Sequence, residues 1–103
     1  HPDHAVAREQ FAGTYGALLT LQLGSKPRCF KFINALQHAQ NLANLGDAKT
    51  LIIHPASTFC REANDVERQA MGVTDDLVRV SVGIEHVDDI CEDIAQALDG
   101  MAR

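Results

Sequence analysis

Leu77-Val78-Arg79-Val80-Ser81-Val82-Gly83-Ile84 is the stretch that decides the fold. Its β-branched density and alternation predict a strand. Successive side chains of a strand point to opposite faces. Val78, Val80, Val82 and Ile84 therefore share one face, and Leu77, Arg79, Ser81 and Gly83 share the other. The valine face must meet a core. Arg79 then stands on the face that a packed helix layer leaves alone.

The flanking sequence supplies the helices. After the strand, Val87, Ile90, Cys91, Ile94, Leu98 and Met101 recur as one apolar stripe near the 3.6-residue period, predicting a helix. Asp88 and Asp89 fall in its first turn, where the helix dipole favours acids. Before the strand, Asn64-Asp65-Val66-Glu67 reads as a capped helix start that Gly72 stops. Thr50 to His54 is a short apolar strand ended by Pro55, which cannot donate to a ladder. Further back, Ser25 and Pro27 open a helix in which Cys29, Phe32, Ile33, Leu36, Ala39 and Ala43 recur at helical spacing. Gly46 is the expected left-handed close of that helix. Ala17 to Leu23 alternates as a strand, with Leu19, Leu21 and Leu23 on one face and Leu18, Thr20 and Gln22 on the other. His4 to Phe11 reads as a short helix stopped by Gly13 and Gly16.

Helices and strands thus alternate along the chain. The economical solution is an α/β (α+β) domain with a small open sheet, mainly antiparallel, and helices packed on one face. An uncovered apolar face on the other side would mean a missing partner domain. A free-standing module would have both faces satisfied, or pair as a symmetric dimer.

The chain has 103 residues, 46% of them hydrophobic, which suits one domain, 1–103, and is too few for two. No apolar run approaches the ~20 residues of a membrane span. Nine Lys and Arg against fourteen Asp and Glu give a formal charge of -5. No basic stripe exists, which argues against nucleic acid as a partner. The acids gather late, at Asp75, Asp76, Glu85, Asp88, Asp89, Glu92 and Asp93, and read as a solvated face plus helix N-terminal charge. Cys29, Cys60 and Cys91 form no C-x-x-C pair, so reduced thiols are expected, with Cys29 and Cys91 as small core hydrophobes. A cytoplasmic setting follows from that reading.

Few motifs carry chemistry. The five histidines are scattered, so a metal site is not expected and structural or solvated roles are. Neither a Gly-x-Ser-x-Gly elbow nor a phosphate-binding glycine loop occurs. Arg79 has two readings. It is solvated or paired with a surface carboxylate, or it holds an anion through its rigid fork, with small Ser81 and Gly83 leaving room beside it. Periodicity does not choose between them.

Gly72 to Glu85 resembles the C-terminal signature of the pyridoxal-phosphate-dependent Cys/Met-metabolism (trans-sulfuration) enzymes. Leu45-Gly46-Asp47-Ala48-Lys49-Thr50-Leu51-Ile52-Ile53-His54-Pro55-Ala56-Ser57-Thr58 resembles the preceding signature of the same family, and His1-Pro2 and Gly13 to Leu23 fit in order. Within the family, Asn44 to Lys49 is most similar to the O-acetylhomoserine sulfhydrylases (homocysteine synthases). Cystathionine gamma-synthases and methionine gamma-lyases are the alternative, and more often carry Ser where Asn44 stands. A non-catalytic ligand-sensing or dimerising α/β module is the second alternative.

The resemblance implies the C-terminal domain of a fold-type I enzyme. It implies that Arg79 binds the substrate α-carboxylate, that Asn44 lies beside it, and that Ser57 and Thr58 border the site. Many relatives continue from that loop with Thr-His, where this chain has Phe59 and Cys60. No role carries over to those two. The complete enzyme would use pyridoxal phosphate, which needs a Schiff-base lysine. Lys26, Lys31 and Lys49 all lack the family's Ser-x-x-Lys context. The expectation is that 1–103 contributes no catalytic or cofactor-binding residue and does not hold the cofactor covalently. A large N-terminal cofactor domain would lie upstream, packed where Arg79 emerges, and the short chain that opens on His1 would be a fragment. An amino-acid substrate, sulfide and a homo-oligomer, a tetramer by family habit, complete the implied partners.

Overall fold

The structure, a computed structural model, describes residues 1–102. The chain runs α1 (His4–Phe11), β1 (Leu18–Gln22), α2 (Lys26–Ala35), β2 (Gln40–Asn41), β3 (Leu51–Ile53), a 3-10 turn (Pro55–Ser57), α3 (Asp65–Ala70), β4 (Leu77–Ser81) and α4 (Val87–Met101). The four strands form one sheet in the order β1-β4-β3-β2. Strand β4 is antiparallel to both β1 and β3, while β2 and β3 are parallel. The sheet is therefore small, open and mainly antiparallel, as the sequence implies.

The alternation of β4 holds. Val78 and Val80 are buried in the core with Ile52, which the register places opposite Val80. From above, α2 brings Cys29, Phe32 and Ile33, and α4 brings Ala97 and Met101. Ser25 caps α2 as its side chain accepts from the Arg28 N–H, and Asn64 caps α3 by accepting from Glu67 N–H. Ile84 departs from expectation. The strand ends at Ser81 and Ile84 is 87% exposed. The chain leaves the ladder because Gly83 donates to the Thr50 hydroxyl and the Ile84 N–H to the Ala48 carbonyl. Gly83 has no room for a side chain, since a Cβ would come within 2.6 Å of the Lys49 carbonyl carbon.

The helix expected to reach Ala43 ends at Ala35, and Leu36 turns extended. The cause lies far along the chain. Asp93, 3% exposed on α4, accepts from the N–H groups of Gln37, His38 and Ala39 at 2.7 to 2.9 Å. Gln96 takes the Ala35 carbonyl at 2.7 Å. Together they replace the helical hydrogen bonds that the segment gives up, freeing the backbone to pair as β2. Gly46, expected to close that helix, sits in the loop between β2 and β3 with φ at +72°.

The stripe on α4 holds at Ile94, Leu98 and Met101, which pack on the core, and fails at Val87 and Cys91. Asp93, Ala97 and Met101 are buried, whereas Val87 is 63% exposed and Cys91 is exposed. Cys91 is thus no core residue. Cys29 is fully buried, and burial, helped by Asp76 and Asp75, pushes its thiol up. The late acids are not all solvated either. Besides Asp93, Glu85 accepts from the N–H and hydroxyl of Thr50. The Thr50 backbone bond is the main force holding the Glu85 carboxyl below its ordinary value, against a burial penalty.

Burial pushes the Asp93 carboxyl up, but donors from Gln37, Ala39, His38 and Gln96 outweigh it and hold it below the ordinary range. The folded value lies below the unfolded one, so this stabilisation is full above about pH 4 and is lost as pH falls through the folded value. Asp93→Ala should cost about 2–3 kcal/mol in urea unfolding at pH 7, since three buried donors lose a charged acceptor. The variant should also lose part of the acid sensitivity of the parent between pH 5 and pH 2, as acid-unfolding curves would report.

Candidate carboxylate site around Arg79

Register places Arg79 at the middle of β4, opposite Thr20 of β1 and Ile53 of β3. On its face lie Leu51, Ile53, Leu77 and Ser81, all buried. That face is less open than the sequence suggests. The loop around Asn44 to Gly46 and the segment after β3 lie across β3 and β4. The Gly46 N–H donates to the Ser81 hydroxyl at 3.3 Å, and an Nη of Arg79 donates to the Asn44 carbonyl at 3.2 Å. Only the β1 part remains open, with Leu18 54% exposed and Thr20 and Gln22 exposed beside it.

The guanidinium has spare capacity. Its Nε is buried and is without a hydrogen-bond partner among the described residues. No carboxylate pairs with Arg79 among the described residues, whose ion pairs join Arg68 to Asp65, His1 to Asp3 and His86 to Asp88. Pairing with a surface carboxylate is thus not seen among the described residues, which leaves a solvated guanidinium or one that holds an anion. The guanidinium carbon lies over the ring of Phe59, 5.0 Å from its centroid.

The other expected site residues are placed unevenly. Asn44 reaches Arg79 through its backbone carbonyl, while its side-chain oxygen accepts from the Leu45 N–H. Ser57 and Thr58 bond to His54 instead. The Thr58 hydroxyl donates to the His54 carbonyl at 2.7 Å, and the Ser57 hydroxyl lies 2.7 Å from His54 Nδ1. His54 is 1% exposed, with Nε2 at 2.6 Å from the Asp75 carbonyl. A carbonyl only accepts, so Nε2 carries the proton and Nδ1 accepts from Ser57. Phe30 packs edge-on against the imidazole at 5.1 Å. His54 is thus a strut joining the end of β3 to the approach to β4, the structural role expected of it. Phe59 is the neighbour of Arg79 that sequence reading left without a role. Its signal was the departure from Thr-His at that point.

A second cleft, of about 90 Å³, lies between His38, Thr50, Glu85, Ile90 and Asp93. Its carboxylates Asp93 and Glu85 are already bonded to backbone donors, and no cluster among the described residues suits a metal ion. No helix among the described residues is long and apolar enough to cross a membrane.

The sequence matches the family model for Cys/Met metabolism PLP-dependent enzymes over residues 1–99, and the chain belongs to that family. It is 48% identical over 100 residues to homocysteine synthase of Schizosaccharomyces pombe, covering 96% of this chain and 23% of that protein. It is 42% identical over 99 residues to O-acetyl-L-homoserine sulfhydrylase 1 of Thermus thermophilus, covering 95% of this chain and 24% of that protein. The fold is similar to the crystal structure of cystathionine gamma synthase from Xanthomonas oryzae pv. oryzae in complex with aminoacrylate and cysteine. There the TM-score is 0.84 at 31% identity, over 99% of this chain and 26% of the other. The chain spans about a quarter of the length of these relatives. A free-standing sensing module finds no support in these matches.

The family's cofactor has no covalent seat in the described site. A Schiff base needs a lysine amine, and the partners of Arg79 here are Asn44 and Phe59. Lys26 lies at the start of α2 with Nζ over the Phe30 ring, Lys31 lies on α2, and Lys49 lies on the loop before β3, its N–H on Asp47. The residues present do not fit a covalently held pyridoxal phosphate.

The strut is testable. His54→Phe keeps an aromatic ring but removes the imidazole bonds to the Asp75 carbonyl and the Ser57 hydroxyl, leaving them only the Cys29 thiol at 3.9 Å and the residue-54 carbonyl at 3.4 Å. It should cost about 2–3 kcal/mol, read as a lower urea midpoint at unchanged slope.

Proposed function

We propose that residues 1–103 are the C-terminal, substrate-carboxylate-binding domain of an O-acetylhomoserine sulfhydrylase. The complete enzyme converts O-acetyl-L-homoserine and sulfide to L-homocysteine and acetate. The observation that carries the reading is Arg79 itself: a cation fixed within the sheet whose buried Nε has no hydrogen-bond partner, and which no acid pairs with, among the described residues. A guanidinium edge matches a carboxylate with two parallel N–H···O bonds, and that geometry suits the α-carboxylate of an amino acid.

In this scheme Arg79 is a binding residue. It neither gives nor takes a proton, because guanidinium stays charged throughout the working range. It fixes the carboxylate so that the reacting carbons keep one position, which is a contribution of orientation. Asn44 directs one Nη through its carbonyl, and Ser57 and Thr58 shape the loop that borders the carboxylate. Pyridoxal phosphate, supplied by a large N-terminal domain, serves as the electron sink that makes the amino-acid side chain replaceable. A cytoplasmic location and a homo-oligomer, a tetramer by family habit, belong to the same reading.

The second reading is a cystathionine gamma-synthase or methionine gamma-lyase, favoured by the likeness of fold to the Xanthomonas synthase. Both readings use Arg79 identically. They separate on product, since sulfide with O-acetylhomoserine should yield homocysteine in the first and the lyase should yield a 2-oxo acid.

In the complete enzyme, Arg79→Ala should lower kcat/KM for the amino-acid substrate by about 100-fold, the loss of roughly two charge-assisted bonds. Arg79→Lys should recover little, because a point charge does not reproduce the fork. Steady-state kinetics with unchanged KM and kcat in Arg79→Ala would remove the assignment.

A further inference from the structure

We infer that Phe59 is a positioning residue for the same site. It holds the Arg79 guanidinium from one side, and so sets the direction from which a carboxylate reaches its N–H edge. The inference rests on the carboxylate reading of Arg79 and adds a second side chain to it.

Three observations carry it. The Arg79 guanidinium carbon lies over the Phe59 ring, 5.0 Å from the centroid, within the range where a cation is drawn to a π face. Yet Phe59 is 55% exposed, so no packing among the described residues accounts for its place. An exposed phenylalanine on a mobile loop would gain little by such a contact, because ordering the loop would consume it. Here the loop is ordered from both ends. Before Phe59, the Ser57 and Thr58 hydroxyls are tied to His54, itself 1% exposed. After it, Cys60 is 7% exposed and its N–H donates to the Pro55 carbonyl at 3.0 Å. The ring is presented to the cation by a scaffold already built.

The consequence for Arg79 is geometric. The Asn44 carbonyl takes one Nη at 3.2 Å, and the ring covers one approach to the charge. The buried Nε stays without an acceptor among the described residues. A long, flexible side chain is thereby restricted before any ligand arrives, and the ordering cost of binding falls. The ring offers no hydrogen bond of its own, so it does not compete with the carboxylate for the N–H groups. It acts through Arg79 and takes no part in the chemistry.

The test uses the complete enzyme and five variants, one of them double. Phe59→Ala and Phe59→Leu should each raise KM for O-acetylhomoserine about 5- to 10-fold with kcat within twofold, a loss between that of an exposed and that of a desolvated cation–π contact. Phe59→Tyr should return KM to within twofold of the parent, because it restores the π face. In an Arg79→Ala background, Phe59→Ala should change nothing further. If Leu serves as well as Phe, the ring is only filling space and the inference falls. It falls equally if Phe59→Ala leaves KM unchanged while Arg79→Ala raises it, and the carboxylate reading survives that result. It also falls if kcat drops with KM constant. If Arg79→Ala itself has no effect, the carboxylate reading fails and the inference fails with it.

Discussion

The pleat of β4 is the constraint from which the rest follows. One strand, antiparallel to a neighbour on each side, must send alternate side chains to opposite faces. Val78 and Val80 go up into the helices, so Arg79 between them has to go down. The apolar core and the cationic site are thus two sides of one element. The core fixes the strand by area, at roughly 25 cal/mol per Å² of apolar surface removed from water. That fixed strand gives the guanidinium a known origin. A charge carried on a loop would have no such reference, and sites built on regular elements are the more precise for it.

The downward face shows how a charge can be kept ready without a counter-charge. The neighbours of Arg79 are a carbonyl and an aromatic ring, both weak partners compared with a carboxylate. A resident acid would satisfy the guanidinium and block it. A bare guanidinium would be free to sample many rotamers. The carbonyl and ring between them limit its motion and leave its charge available. The His54 strut, the Ser57 and Thr58 hydroxyls and the buried Cys60 matter to this face mainly through the loop that they hold.

Much of this was legible in the sequence. The alternation of Val78, Arg79 and Val80 states the two faces outright, and the Ser25 and Asn64 caps mark their helices correctly. Failures came where a distant group overrides a local pattern. Leu36, Ala39 and Ala43 keep helical spacing, but the helix stops because Asp93 offers its carboxylate to three N–H groups more than fifty residues away in sequence. On α4 the same Asp93 joins Ile94, Leu98 and Met101 on the inner face, a place that a periodic count of apolar residues does not give to an acid. Ile84 failed for a similar reason, its strand ended by the contacts of Gly83 and Thr50. At the site, Arg79 was readable from pattern and family motif. Phe59 was not, because its meaning is a contact across the sheet face and its residue type breaks the family pattern. Asn44 was singled out only by the family motif, and its contact with Arg79 runs through the backbone carbonyl, which no residue type announces.

The order of strands in space, β1-β4-β3-β2, has a consequence for the life history of the chain. Of the four strands, β4, an inner one, is the last to be synthesised. Until residues 77–81 emerge from the ribosome, β1 and β3 have no strand between them, and Leu18, Leu19 and Leu51 wait without the ladder that seats them. Even then, β2 is not secured until Asp93 arrives on the final helix. Folding of this region is therefore held back to its C-terminus, dominated by long loop closures of the kind that slow folding. A nascent chain arrested before β4 would carry β-rich apolar segments with open edges, the surface that chaperones recognise and that aggregates form from.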